Sequence, residues 1–207
     1  MSSASPARLK GQRPTTKGSL WTMQAHLPGK WSCTARMSLD GFIAGPDDSM
    51  DWIFEYAAPD HASEIMAATG AIIAGRRTYE VGQRDIGKPS GEAYGGAWQG
   101  AQFVLTHQPP EDLHDPAVTF LTDDIEAAVA TARRAAGGEN VEIFGADLTG
   151  QCLERGLVDE IVVHIVPVLL GTGTPFSSSA SPARVDLEPV NSARSGTVTT
   201  LSFRVRK

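Results

Sequence analysis

From about residue 31 onward the chain alternates short apolar runs with longer amphipathic stretches. Trp31-Ser32-Cys33-Thr34-Ala35-Arg36-Met37 predicts a first strand with imperfect alternation. It runs into Ser38-Leu39-Asp40-Gly41-Phe42-Ile43-Ala44-Gly45-Pro46, where glycines and a proline mark turns. Residues 60–69 predict a helix with Asp60 near its start and Gly70 as C-cap. Ala71-Ile72-Ile73-Ala74 suits a buried strand, and Gly75-Arg76-Arg77-Thr78 opens the next helix. A glycine-rich loop over 82–100 precedes the strand Phe103-Val104-Leu105-Thr106, which Pro109-Pro110 closes. The clearest helix spans 123–136: Asp123 stands three residues before Glu126, and Ile125, Ala128, Val129, Ala132 and Ala136 form one apolar stripe.

Val141 to Phe144 predicts a strand, Leu148 to Arg155 a helix stopped by Gly156, and Ile161 to Leu170 a long buried strand. Val185–Pro189 and Val198–Val205 predict an antiparallel pair; in the second, Leu201, Phe203 and Val205 share a side. Strand–helix alternation closed by a hairpin implies an α/β fold: a mostly parallel central sheet, helices on both faces, and an antiparallel C-terminal edge. One domain is expected over 31–207, preceded by a basic tail over 1–30 whose Ser, Thr, Pro and Gly content predicts disorder.

Charge sharpens that division. The first 30 residues hold five of the 18 basic residues and no acid, leaving 13 basic against 24 acidic residues beyond them. An acidic body argues against a nucleic-acid surface. The 41% hydrophobic content is ordinary, and no run approaches the ~18 apolar residues of a membrane span. The tail lacks the apolar segment of a secretory signal. Cys33 and Cys152 have no metal-ligand or redox spacing and read as buried thiols, so a cytoplasmic protein without a metal site is expected.

Two segments have the strand–small residue–helix form that accepts an anion at a sheet's carboxyl edge. One is Gly75-Arg76-Arg77-Thr78 and the other Gly145-Ala146-Asp147-Leu148-Thr149. Taken singly, each reads equally as a plain turn and cap. Gly171-Thr172-Gly173-Thr174-Pro175 lacks the third glycine of a dinucleotide fingerprint and reads as a tight turn. His164, inside a Val/Ile strand, reads as a core residue.

Together these segments resemble the dihydrofolate reductase-like superfamily, specifically the RibD C-terminal (riboflavin-biosynthesis reductase) family. The resemblance rests on Ser38 to Gly45, Gly75 to Glu80, Phe103 to Thr106, and Gly156-Leu157-Val158-Asp159-Glu160 leading into Val166 to Gly171. It implies a three-layer α/β/α fold and NADPH at the carboxyl ends of the strands. Ile43 and Ala44 would border the nicotinamide. Gly75, Arg76, Arg77 and Thr78 would meet phosphate, and Gly145, Ala146, Leu148 and Thr149 would form the second phosphate turn. Leu105, Thr106 and His107 would border the adenosine, with Arg77 or His107 sensing the 2′-phosphate. The family usually carries a glycine where this chain has Phe144, a side chain that could obstruct the cofactor.

The expected activity is hydride transfer from NADPH to a C=N or C=O carbon of a small heterocyclic molecule, riboflavin-pathway-like or pterin-like. Asp40 and Asp60 are the candidate catalytic carboxylates, with equal standing as a turn residue and a helix cap. Trp52, Tyr94 and Trp98 are the candidate substrate walls, and the 82–100 loop a lid. A homodimer is expected, with no nucleic-acid or membrane partner. The alternative is a catalytically silent binding or structural homologue closed by Phe144.

Overall fold

The computed structural model describes residues 29–56, 59–110, 116–178 and 184–207, the side chains of 59–62 excepted. Strand β1 (Trp31–Ser38) is followed by the three-residue β2 (Phe42–Ala44), two 3-10 turns (Pro46–Asp48 and Asp51–Tyr56) and helix α1 (Pro59–Ala68). Next come β3 (Thr69–Gly75), α2 (Arg76–Arg84), two further 3-10 turns (Pro89–Gly91 and Ala93–Gly96), β4 (Ala101–Leu105), β5 (Val118–Leu121) and α3 (Ile125–Ala135). The chain closes with β6 (Asn140–Phe144), α4 (Ala146–Glu154), β7 (Glu160–Val166), β8 (Thr174–Pro175), β9 (Leu187–Ser195) and β10 (Val198–Val205).

Eight strands form one sheet in the order β5-β4-β3-β6-β1-β7-β10-β9. Strands β5 to β7 in that order run parallel, and β10 and β9 add the antiparallel edge. Strands β2 and β8 pair separately as a short antiparallel ribbon. The architecture is a dihydrofolate reductase-like α/β fold. Among the described residues no helix is long and apolar enough to cross a membrane.

One face of the sheet carries the core. Ile73, Val141 and Ile143 are almost wholly buried there against Ala128 and Ala132 of α3 and Leu148 and Cys152 of α4. Helix α2 packs on the opposite face, where Tyr79 meets Phe120 of β5 edge to face at 5.1 Å. The alternation of β1 is in fact regular. Trp31, Cys33 and Met37 belong to the core side, while Ser32, Thr34, Arg36 and Ser38 take the in-between positions that a strand turns to its other face. Both cysteines are buried free thiols, and burial pushes each up to about 12.

Several boundaries differ from expectation. Helix α3 is capped by Asp124, whose Oδ1 accepts from the Ala127 N–H at 2.8 Å, and not by Asp123. Gly70 lies inside β3; a Cβ there would stand 2.4 Å from the Ala136 carbonyl oxygen, so its role is close approach to α3's end and not capping. Strand β7 stops at Val166 because Pro167 has no N–H to continue the ladder. Strands β2, β5 and β8 are additional to those the pattern predicts, and β9 extends to Ser195. Lys30, counted with the basic tail, is tied to the fold through Glu160 at 2.7 Å and Asn140 Oδ1 at 3.2 Å. Residues 1–28 of that tail lie outside the described residues.

Candidate functional site

The two strand–helix turns that the sequence offers as anion sites meet in space. Gly145 ends β6 with φ +100°, a conformation costly for any residue with a side chain. A Cβ there would stand 2.3 Å from Thr78 Oγ1 and 4.0 Å from the Gly75 nitrogen. Gly75 in turn faces Leu148, with 3.7 Å from the position of a Cβ to the Leu148 Cβ. Leu105 is the register partner of Gly75 on β4, so the ends of β6, β3 and β4 form one continuous edge.

Neither helix starting at this edge has a side-chain cap. The N-cap positions of α2 and α4 are Gly75 and Gly145, whereas α3, away from the edge, has Asp124. Uncapped first-turn N–H groups, together with the helix dipole, favour an anion. The residues therefore fit a dinucleotide's phosphates: a backbone turn with no side chain in it, a hydroxyl at Thr78, and two helix starts.

Arg76 and Arg77 sit at the start of α2, both exposed and both paired. Arg76 Nε reaches Glu80 at 2.6 Å, and Arg77 Nε reaches Asp48 at 2.8 Å. Burial pushes the Asp48 carboxyl up, but hydrogen bonds from Arg77 and Thr174 outweigh it and hold the group below the ordinary carboxylate range. Thr106 is buried in a turn with Gln108, and His107 is exposed. Ala146 and Leu148 are buried, and Thr149 shares a 3.3 Å contact with Cys33 Sγ.

Beside this edge lies a cavity of about 610 Å³. Its lining takes Thr34 and Arg36 from β1, His164 from β7 and Phe144 and Gly145 at the end of β6. Ile43 of β2, Phe176 after β8, Ile53 and Phe54 of the second 3-10 turn, and Ile65 of α1 supply apolar walls. The 82–100 segment also borders it. Asp85 anchors that segment by accepting from Ser90 Oγ at 3.0 Å and pairing with Arg84 and Lys88, contacts that hold its carboxyl below the ordinary range. Tyr94 lines the cavity with its ring edge-on to Phe144 at 5.8 Å, so Phe144 forms part of a cavity wall.

The other sequence candidates fall elsewhere. Trp52 and Trp98 are not among the lining residues; their indole N–H groups donate to the carbonyls of Ser49 and Thr69. Ala44 is buried outside the lining. Asp40 is exposed and also outside it: its carboxylate accepts from Ser38 Oγ at 2.6 Å and from the Leu170 and Gly171 N–H groups at 3.1 and 2.7 Å. Those bonds, Ser38 first, hold it below the ordinary range. Asp60 falls on α1, and its side chain lies outside the described residues. Among the described residues no cluster of three or more His, Cys, Asp or Glu could hold a metal.

Thr34 and Arg36 are lining residues that the sequence does not single out, and His164, expected as a core residue, is buried and lines the cavity as well. His164 Nδ1 and Thr200 Oγ1 share a 2.8 Å hydrogen bond across β7 and β10. On the cavity's face of the sheet, Glu142 is fully buried, accepts from the Ser32 hydroxyl, and is pushed up by burial, which that bond offsets only in part.

Comparison with known proteins bears on the family and the fold. The model of the RibD C-terminal domain matches residues 30–201. The uncharacterized protein YwjB of Bacillus subtilis (strain 168) is 28% identical over 142 residues, 68% of this chain and 78% of its own length. A putative riboflavin biosynthesis protein from Shewanella sp. PV-4 superposes with TM-score 0.70 at 20% identity, covering 86% of this chain and 99% of that one. Dihydrofolate reductase from Enterococcus faecalis, solved with NADP(H), gives TM-score 0.57 at 14% identity over 87% of this chain and 99% of its own.

Proposed function

This chain belongs to the RibD C-terminal domain family, and from that premise we propose that it is an NADPH-dependent reductase acting on a C=N or C=O carbon of a small heterocyclic substrate. The observation that carries the reading is the meeting of two uncapped helix starts at Gly145, directly beside a cavity large enough for such a molecule. Membership of a reductase family and likeness to a reductase solved with NADP(H) support the cofactor class.

When bound, the dinucleotide supplies the hydride. The chain's part is to bind, orient and exclude water. The first-turn N–H groups of α2 and α4 and the Thr78 hydroxyl would bind phosphate. Arg76 would join them by releasing Glu80, because an exposed ion pair such as theirs is worth only about 0–1 kcal/mol, and Arg77, itself exposed, by releasing the half-buried Asp48. Leu105, Thr106 and His107 would flank the adenosine end, and Ile43 the nicotinamide end. The apolar walls from Ile53, Phe54, Ile65 and Phe176 would keep the acceptor carbon in a dry cavity. We assign Asp40 to holding the β2–β8 ribbon, since its carboxylate already receives three hydrogen bonds. Asp60, on α1, is the acidic candidate for the proton.

Titration of the protein with NADPH, following nicotinamide fluorescence and with NADH in parallel, tests the reading. Saturable binding that favours NADPH is expected. Failure of a folded sample to bind either dinucleotide would sink the reductase reading and favour a binding protein closed by Phe144.

A further inference from the structure

Charged residues in the cavity are few, and their arrangement is uneven. Among its described lining residues Arg36 is the one Arg or Lys, and Glu92 the one Asp or Glu. Glu92 is exposed, with its carboxylate against Gly96, where a Cβ would meet Glu92 Oε2 at 2.4 Å. Arg36 is half-buried on β1, a strand flanked on both sides by others. Its register partner on β7 is His164, which itself stands opposite Thr200 on β10. The three residues make a polar row across the sheet.

The guanidinium has almost nothing to hold. Nη1 donates to the Ile53 carbonyl at 3.3 Å, which leaves most of its five N–H donors unused, and no described carboxylate lies within ion-pair distance. Burial lowers its pKa. A guanidinium nevertheless stays charged at neutral pH. A half-buried cation in a cavity whose walls include Ile43, Ile53, Phe54, Ile65 and Phe176 carries a desolvation cost that an ordinary structural arginine recovers from a protein carboxylate. Among the described residues no carboxylate takes that place.

We propose that Arg36 binds a carboxylate of the substrate, so that the cavity selects a monoanionic ring compound. This rests on reading the cavity as the substrate site. One planar fork matches one carboxylate bidentately. A phosphate monoester carries close to two charges at neutral pH, and the cavity's described lining offers no second Arg or Lys to balance it. The selectivity would thus come from a strand residue in the cavity and not from the arginines at the start of α2.

Three fluorescent probes test this on the whole chain without any nicotinamide cofactor: 1-naphthoate, its neutral amide, and 1-naphthyl phosphate. The wild-type protein should bind the carboxylate roughly tenfold to hundredfold more tightly than the amide. Arg36→Gln should abolish that preference while leaving amide binding in place, and Arg36→Lys should restore it in part. A role confined to anchoring the Ile53 carbonyl would not separate carboxylate from amide. Equal binding of acid and amide by the wild type, a preference that survives in Arg36→Gln, tightest binding of the phosphate, or no binding of the carboxylate each overturn the proposal. Should Arg36→Gln fail to fold, the wild-type preference and the Lys variant still decide. The NADPH titration is read separately, so a chain that binds NADPH but ignores the carboxylate would retain the reductase reading and lose this one.

Discussion

The two faces of the sheet are built from the same strands on opposite terms. On the α3–α4 face, Ile73, Val141 and Ile143 close against the alanines of α3 and the apolar side chains of α4. The other face, one residue out of phase, carries Ser32, Thr34, Glu142, His164 and Thr200 in buried or half-buried positions and leaves a cavity. A strand with period two can serve both purposes at once, because successive side chains never share a neighbourhood. The apolar core lies on one face, and the polar residues and the cavity on the other.

The division predicts which substitutions do what. Ile73→Ala, on the closed face, should cost about 2–5 kcal/mol in urea unfolding with the NADPH affinity of the folded fraction unchanged. A much smaller loss would mean that the closed face is not where stability resides. Gly145→Ala, at the shared edge, should cost about 1–3 kcal/mol through strain at positive φ and the clash with Thr78, and weaken NADPH roughly tenfold. Unchanged cofactor affinity in a folded Gly145→Ala protein would remove the edge from the binding surface.

Glu142→Gln, on the open face, should have the smallest effect and one visible mainly in its pH dependence. Because burial raises the Glu142 pKa in the folded protein, the fold keeps a proton that the unfolded chain releases. Its contribution is therefore fully present below about 4.3, the ordinary glutamate value, and is lost as pH rises toward the folded value. The amide carries no proton to lose, so thermal unfolding of the variant should fall less steeply with rising pH than that of the wild type. Parallel melting curves against pH would show that Glu142 is ionised in the fold.

Much of the closed face was legible in the sequence, since the α3 stripe and the apolar runs of β3, β6 and β7 depend only on period and length. The cavity face was harder to read. Arg36 and His164 interrupt apolar strands, and a polar residue within a strand looks like a fault in the pattern until its neighbours across the sheet are known. The clue was the alternation in β1, where four polar residues fall on even positions from 32 to 38. The pieces Gly75 to Thr78 and Gly145 to Thr149 were each ambiguous alone, and only the fold shows them touching. Strands β2 and β8 are three and two residues long, set by pairing between distant segments, and no local period announces them.

Asp40 gives that small ribbon a further meaning. Its carboxylate joins the turn entering β2 to the Leu170–Gly171 backbone that leads into β8, and the Ser38 hydroxyl it holds also accepts from the Phe42 N–H. A slip of one position would exchange Ile43 for a neighbour at the cavity. Which side chain faces the cavity is thus decided by atoms outside its lining. Residue 43 can consequently change in size or polarity while its address stays fixed, so the shape of the cavity can be altered there without rebuilding the frame.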